Sequence, residues 1–187
     1  LRYVDRGARA VRLDAVAFLW KDPETPSIHL PETHALVALF RLVLAEVAPD
    51  VVLVTETNVP HAENVAYFGT PTRPEAHAVY QFPLAPLVAY AALSGDTAPL
   101  TAWASALEPP PPGAWFLNFL SSHDGVGLRP AEGLLDDAQV RVLTNATRAA
   151  GGVINRRDAG GSPRPYELAV SWFDLLGTWA CSPFNRP

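Results

Sequence analysis

Four short, almost uninterrupted apolar segments constrain this fold more than any other feature of the sequence. They lie at residues 10–15, 51–56, 78–82 and 114–120, and helical or turn-rich stretches separate them. Strands that alternate with helices predict parallel βα units. Strands with little polar alternation predict a sheet that is covered on both faces or closed into a barrel. The pattern therefore predicts an α/β fold.

The stretches between these strands carry the start and stop signals of helices. Pro31 and Glu32 suit a helix N-terminus, and apolar residues then recur at helical spacing up to Pro49. We expect further helices at 86–93 and at 97–107.

The pattern changes after residue 124. A glycine-bearing loop leads to a predicted helix at 136–150, and short segments of less certain type follow it. We therefore predict two regions, residues 1–124 as part of a catalytic (β/α) barrel and residues 125–187 as an insertion over its mouth. Such insertions commonly shape the substrate site.

Composition excludes several classes of function. The chain has 187 residues and a net charge of -5, without a basic block, so nucleic acid is not an expected partner. No apolar run reaches the roughly 18 to 20 residues that cross a bilayer, so no membrane association is expected. The single cysteine, Cys181, permits no internal disulfide and fits a cytoplasmic setting.

Polar chemistry in parallel α/β folds gathers at the carboxyl ends of the strands, and three acidic residues fall there. Cleavage of a glycosidic bond with retention needs two carboxyl groups roughly 5 to 5.5 Å apart, one as nucleophile and one as acid/base. We assign Asp14 as nucleophile, Glu56 as general acid/base, and Asp124 as stabiliser of the cationic transition state.

The first of these acids has a basic partner two residues before it. Residues two apart in a strand point the same way, so Arg12 and Asp14 share a face and the guanidinium favours the charged carboxylate. The alternative is a buried Arg–Asp ion pair that only stabilises the fold.

The other two acids also have structural alternatives. Glu56 follows four apolar residues, where an acid is costly unless paired or useful, but it fits the first turn of the next segment equally well. His123 is placed to donate to a sugar hydroxyl beside Asp124, but the pair also fits a turn that satisfies its own backbone.

Two other site types fit the sequence less well. The remaining histidines are scattered, with no pair at i, i+4 and no cysteine partner, so no metal site is predicted. No serine lies in the Gly-x-Ser-x-Gly arrangement of a nucleophile elbow, which disfavours a Ser–His–Asp triad.

Three segments resemble conserved regions of the α-amylase superfamily (glycoside hydrolase family thirteen). They are 10–16, 54–56 and 118–124, and longer stretches around them are similar to the sucrose phosphorylase-like branch, with the glucosylglycerate phosphorylase-like group as the nearest pattern. The resemblance implies a (β/α)8 TIM barrel, of which this chain covers about strands 4 to 7 plus an inserted lid after strand 7. It also implies that the chain is a fragment of a longer protein.

The resemblance also implies a reaction. It is that of a retaining α-glucoside phosphorylase that forms α-glucose 1-phosphate from a glucoside such as glucosylglycerate or sucrose. Inorganic phosphate is then a co-substrate and no cofactor is needed. An α-glucosidase or amylase-type hydrolase, or a transglucosidase, is the alternative, and an inactive sugar-binding barrel is the non-enzymatic one. The oligomeric state is left open.

Further substrate-binding residues follow from the same resemblance. Arg12 and His123 accompany the acids, and candidates on the acceptor side are Asn58, His61, Tyr80, Gln81 and Arg129. The guanidinium of Arg129 suits phosphate or an acceptor carboxylate, because its donors match the geometry of both. A surface ion pair between Arg129 and Glu132 is the alternative.

Overall fold

The computed structural model describes residues 1–158 and 161–177, so Cys181 lies outside the described residues. The chain forms two compact units. The first comprises Leu1–Gln81 and Glu108–Asn118, and the second comprises Phe82–Leu107 and the chain from Phe119 onward. The predicted boundary after residue 124 is a different division of the chain, and the lid over a barrel mouth stays a prediction.

The described residues contain nine strands and six helices. The strands are β1 (Ala10–Leu13), β2 (Val52–Thr55), β3 (Gly69–Thr70), β4 (Arg73–Pro74), β5 (Ala78–Tyr80), β6 (Trp115–Leu117), β7 (Val126–Gly127), β8 (Val153–Asp158) and β9 (Pro163–Ala169). The helices are α1 (Pro31–Val47), α2 (His61–Val65), α3 (Leu84–Ser94), α4 (Ala98–Ser105), α5 (Asp137–Ala149) and α6 (Trp172–Leu176).

The first unit is built on a parallel sheet of four strands in the order β1-β2-β5-β6. These are the four strands predicted from the apolar segments, and each pairs in parallel with the next. The α/β class and the parallel sheet are thereby confirmed. Closure of an eight-stranded barrel stays a prediction.

The core of the first unit packs the sheet against α1 and the segment after α2. Leu53 and Val79 supply the sheet side, Val37 comes from α1, and Tyr67 and Phe68 come from the 3-10 turn that follows α2. All five side chains are less than one-tenth exposed. Burial of this apolar area is the main favourable contribution to folding of the unit.

The second unit has its own core between α3, α5 and a small antiparallel sheet. That sheet has the order β7-β9-β8, and its buried members include Val126 and Leu168. A capping box begins α5, in which the Asp136 side chain accepts from the Gln139 backbone and the Gln139 side chain accepts from the Asp136 backbone. This satisfies two backbone donors that a helix N-terminus otherwise leaves free.

The predicted helices are confirmed to within a few residues, but several elements were not anticipated. The segments of uncertain type after α5 form the β8–β9 hairpin and α6. The short helix α2 and the two-residue strands β3 and β4 also lacked a clear sequence signal. None of the helices in the described part of the chain is long and apolar enough to cross a membrane.

Candidate active site

The carboxylate of Asp14 lies just beyond the end of β1 and is bound by the arginine on the same strand face. Arg12 Nη1 donates to Asp14 Oδ1 at 2.5 Å. The Asp14 side chain is 72% exposed, so this is not a buried ion pair. The exposed carboxylate is free to meet a substrate while the arginine keeps it oriented.

The carboxyl group of Glu56 follows β2 and is held by the turn that follows Asp14. Glu56 is only 8% exposed, and its Oε2 accepts the backbone N–H of Ala15 at 2.8 Å. Ala15 has left-handed backbone angles, with φ 44°, which is uncommon for a residue with a Cβ. The tight turn at Ala15 thus directs a main-chain donor at Glu56.

Arg12 contacts both carboxylates. Its Nη1 binds Asp14, and its Nη2 lies 3.8 Å from Oε2 of Glu56. Its guanidinium carbon also lies 5.5 Å from the centroid of the Tyr80 ring. Burial alone lowers the pKa of Arg12, but the hydrogen bonds to Asp14 and Tyr80 and the negative charge of Glu56 outweigh it and raise the pKa. Arg12 therefore stays charged between the two acids.

A buried asparagine on α2 ties the ends of two neighbouring strands together. Asn64 Oδ1 accepts from Thr57 Oγ1 at 2.6 Å, and Asn64 Nδ2 donates to the carbonyl of Tyr80 at 2.7 Å. Asn64 is fully buried. It holds the chain after β2 against the end of β5, which Tyr80 closes and Gln81 follows.

Several buried polar atoms near these strand ends have no hydrogen-bond partner among the residues that the structure describes. They are Arg12 Nε, Thr55 Oγ1, Asn58 Oδ1, His61 Nδ1 and both polar atoms of the Gln81 amide. Native structures leave few such groups, so a concentration of them calls for an explanation. Hydroxyl groups of a sugar are chemically suited to these donors and acceptors.

The histidine of this group is kept neutral by its surroundings. Burial lowers the pKa of His61, and the neighbouring Gln81 side chain opposes that effect. Neither polar atom of the Gln81 amide makes a hydrogen bond of ordinary geometry. Gln81 is 1% exposed, so its amide is buried, with the His61 side chain as its polar neighbour.

The predicted transition-state stabiliser lies in the second unit. His123 Nε2 is 3.5 Å from Asp124 Oδ2, and the Asp124 backbone N–H donates to Ser122 Oγ at 3.1 Å. The side chains are 72% and 56% exposed. Both line a cavity of about 410 Å³ that Phe119 and Trp172 also line.

The remaining predicted acceptor residue, Arg129, begins a 3-10 turn in the second unit. The alternative interpretation of Arg129 was an ion pair with Glu132. In the structure, Glu132 Oε1 accepts from Arg157 Nη2 at 2.7 Å, so this carboxylate already has an arginine partner on β8.

The structure groups the predicted residues by unit. In the first unit it brings together Arg12, Asp14, Glu56 and Tyr80, while Asn58, His61 and Gln81 belong to the same unit. His123, Asp124 and Arg129 belong to the second. Sequence reasoning missed the roles of Ala15 and Asn64. Ala15 acts through its backbone and carries no signal, and Asn64 lies in a short helix of mixed polarity where nothing in the sequence singles it out.

Comparison with known proteins places these observations in a family. No family model matches the chain. The chain is 47% identical over 176 residues to the glucosylglycerate phosphorylase of Allomeiothermus silvanus, an alignment that covers 94% of the chain. It is 45% identical over all 187 residues to the glucosylglycerate phosphorylase of Escherichia coli. The chain is a homologue of the glucosylglycerate phosphorylases.

This homology confirms the resemblance to the α-amylase superfamily (glycoside hydrolase family thirteen). The chain spans about a third of the length of these relatives, 32% and 33% respectively. The fold agrees with that of a sucrose 6F-phosphate phosphorylase from Thermoanaerobacter thermosaccharolyticum. The TM-score is 0.76 at 19% identity, over 93% of this chain and 33% of that one.

Proposed function

We propose that the protein to which this chain belongs is a retaining α-glucoside phosphorylase, with glucosylglycerate as the glucoside. One observation carries the proposal: a single guanidinium, that of Arg12, contacts the carboxylates of both Asp14 and Glu56. Two acids held beside one another are what a double displacement at a sugar carbon requires. Homology to glucosylglycerate phosphorylases supports the choice of reaction and substrate.

Asp14 is the proposed nucleophile. Its exposed carboxylate attacks the anomeric carbon, a bond forms from the carboxylate oxygen to that carbon, and the bond to the departing glycerate oxygen breaks. Glu56 gives its proton to that oxygen, which therefore leaves as a neutral hydroxyl group of glycerate. Asp124 is the proposed stabiliser of the positive charge that develops on the sugar ring in this step.

Phosphate then completes the reaction. An oxygen of inorganic phosphate attacks the same carbon, Glu56 takes up a proton as base, and Asp14 leaves as a carboxylate. Two inversions give net retention, and the product is α-glucose 1-phosphate. Phosphate is a co-substrate in this scheme, which uses no cofactor.

The acceptor side is proposed to use Asn58, His61, Tyr80, Gln81 and Arg129, with His123 as a donor to the sugar. The unpartnered polar atoms of Asn58, His61 and Gln81 support this role, because a hydroxylated acceptor satisfies donors and acceptors that are otherwise buried at a cost. Arg129 is the proposed partner of the glycerate carboxylate or of phosphate.

An assay of the reverse reaction, carried out with the whole protein, tests the proposal. α-Glucose 1-phosphate is supplied with glycerate, glycerol, fructose and fructose 6-phosphate in turn, and inorganic phosphate release is measured. We expect release with glycerate far above release with the other three. Release of glucose at an equal rate without any acceptor would indicate a hydrolase instead. Transfer of glucose from glucosylglycerate to a second sugar with no phosphate present, releasing glycerate, would indicate a transglucosidase.

A cytoplasmic setting belongs to the same proposal. The sequence contains one cysteine and therefore no pair to form an internal disulfide, as is usual for proteins of reducing compartments. A reaction that consumes or releases a sugar phosphate also fits a compartment where phosphorylated sugars are metabolised.

A further inference from the structure

The loop that carries His123 and Asp124 is anchored at its first end by a side chain far along the chain. Trp172 Nε1 donates to the carbonyl of Leu120 at 2.5 Å, across 52 residues of sequence. Leu120 immediately precedes the polar stretch 121–124. An indole N–H has no acceptor function and one direction, so the bond fixes both the distance and the orientation of the two segments.

The same loop is anchored at its other end by strand β9. Val126 and Gly127 of β7 pair with Leu168 and Glu167 of β9 in an antiparallel ladder. Gly125, next to Asp124, packs so closely on β9 that an added Cβ would overlap the carbonyl oxygen of Leu168. The loop therefore lies between two attachments to one continuous segment, β9 and the start of α6.

The segment formed by β9 and the start of α6 is held in place by the core and by a helix cap. Leu168 of β9 is fully buried in the core of the second unit, and Trp172 packs against the same core. Ser171 caps α6, accepting the Asp174 backbone N–H at 3.0 Å and donating to the Asp174 side chain at 2.6 Å. A rigid support of this kind transmits little motion to the loop that it holds.

We propose that Trp172 is a positioning residue for Asp124. This inference rests on the proposed function, in which Asp124 stabilises the charged transition state. Stabilisation of that kind depends on a carboxylate that is already in place before charge develops, because reorientation during the reaction consumes part of the gain. Asp124 is more than half exposed, and within the part of the chain that the structure describes its carboxylate pairs with the neighbouring, likewise exposed His123. The anchor at Leu120 supplies the restraint that Asp124's own surroundings do not.

A pair of tryptophan variants in the whole protein separates positioning from packing. Trp172→Phe removes the N–H and keeps an aromatic ring. Trp103→Phe is the matched control, because Trp103 is buried in the same core and its Nε1 has no hydrogen-bond partner in the described chain. The substrate is α-glucosyl fluoride, whose leaving group needs little protonation, so fluoride release reports transition-state stabilisation.

We expect Trp172→Phe to lower kcat on the order of tenfold or more while KM changes little, since the lost interaction matters chiefly in the transition state. The kcat of Trp103→Phe is expected to stay within about twofold of the wild-type value, because this change breaks no hydrogen bond to the loop that carries His123 and Asp124. Equal losses in the two variants, or an unchanged kcat in Trp172→Phe, would overturn the proposal.

Amide hydrogen exchange supplies a readout that is independent of turnover. We expect faster exchange in peptides covering 119–127 for Trp172→Phe and not for Trp103→Phe, because only the first frees the loop. Identical exchange in this region would also overturn the proposal. Gly125→Ala, which forces β9 and the loop apart, is expected to reproduce both the kinetic loss and the faster exchange.

Failure of the phosphorylase proposal can be distinguished from failure of the Trp172 proposal. If the wild type released glucose without needing phosphate, the phosphorylase assignment would fail, and the ratio between the two tryptophan variants in that hydrolysis would still decide the role of Trp172. A wild-type protein that transferred no glucosyl group from the fluoride would overturn both.

Discussion

The backbone N–H of Ala15 donates a hydrogen bond to Oε2 of Glu56 at 2.8 Å. Since Ala15 directly follows Asp14, the turn that presents one acid also orients the other. Glu56 in return anchors this turn, because its carbonyl oxygen accepts the N–H of Val16 at 3.3 Å. A small change at either residue is therefore expected to disturb both carboxylates.

Replacement of the proposed nucleophile should abolish the reaction. We expect Asp14→Ala to lower kcat by about 10⁴-fold or more, since Asp14 is the group proposed to form the glycosyl intermediate. Azide should partly restore consumption of α-glucosyl fluoride, and it should give the β-glucosyl azide because attack then comes from the vacated face. Asp5→Ala, at an exposed acid of the same unit, is the control. Wild-type rates in Asp14→Ala would refute the assignment.

Replacement of the acid/base should discriminate between leaving groups. We expect Glu56→Gln to lower phosphorolysis of glucosylglycerate by about 10³-fold, because glycerate must be protonated as it leaves. Fluoride needs no such help, so release from α-glucosyl fluoride in the first turnover should fall far less. Rapid-quench measurement of both substrates is the test, and equal losses for the two would argue against an acid role.

The guanidinium group of Arg12 should not be replaceable by the ammonium group of a lysine. Arg12→Lys keeps the charge but cannot reach Asp14 and Glu56 together, so we expect kcat to fall on the order of 10²-fold. Arg9→Lys, at an exposed arginine just before β1, should leave the rate unchanged. Steady-state kinetics of both variants decide the matter, and retention of full activity in Arg12→Lys would show that two-point contact is unimportant.

Replacement of the buried amide of Gln81 should weaken acceptor binding without lowering the stability of the fold. Gln81→Leu replaces an unsatisfied buried amide by an apolar side chain of similar size, which we expect to leave stability unchanged or to raise it by about 1 kcal/mol. The KM for the acceptor should rise at least about tenfold if the amide binds an acceptor hydroxyl. Urea unfolding and acceptor kinetics measure the two effects. Strong destabilisation with an unchanged KM would assign Gln81 a purely structural role.

His77 should make the protein sensitive to mild acid. Its Nδ1 accepts the backbone N–H of Leu53 at 2.9 Å, and burial, with the nearby charge of Arg41, lowers the pKa of His77 to about 4. The unfolded chain takes up this proton near pH 6.5, so stability from the neutral ring is present above that pH and is lost as pH falls toward 4.

Because His77 is only half-buried, we expect a loss of about 1 to 2 kcal/mol between pH 7 and pH 4.5. His77→Gln, which keeps a side-chain acceptor without a titrating group, should show a smaller loss over the same range. Urea midpoints at the two pH values provide the measurement. Parallel pH dependence of the two proteins would mean that another group is responsible.

The amino-acid sequence alone determined the strands of the first unit and the side-chain face shared by Arg12 and Asp14. Continuous apolar runs and the two-residue period of a strand are local properties, and the structure follows them. The main helices were predictable for the same reason. Asp14 and Glu56 were also predictable locally, because a charge at the end of an apolar strand is conspicuous wherever the strand pairs. Asp124 instead lies beyond the end of β6, in the second unit.

Only the tertiary structure decided which groups hold those acids. The contacts of Arg12 and Ala15 with Glu56 depend on the register of β1 against β2 and on a left-handed turn at Ala15, and the bond from Trp172 to Leu120 depends on the return of β9. Residues 41 or 52 positions apart share no periodicity, so no local pattern encodes their contact. Their meeting is a property of chain packing and therefore appears only when the fold is complete.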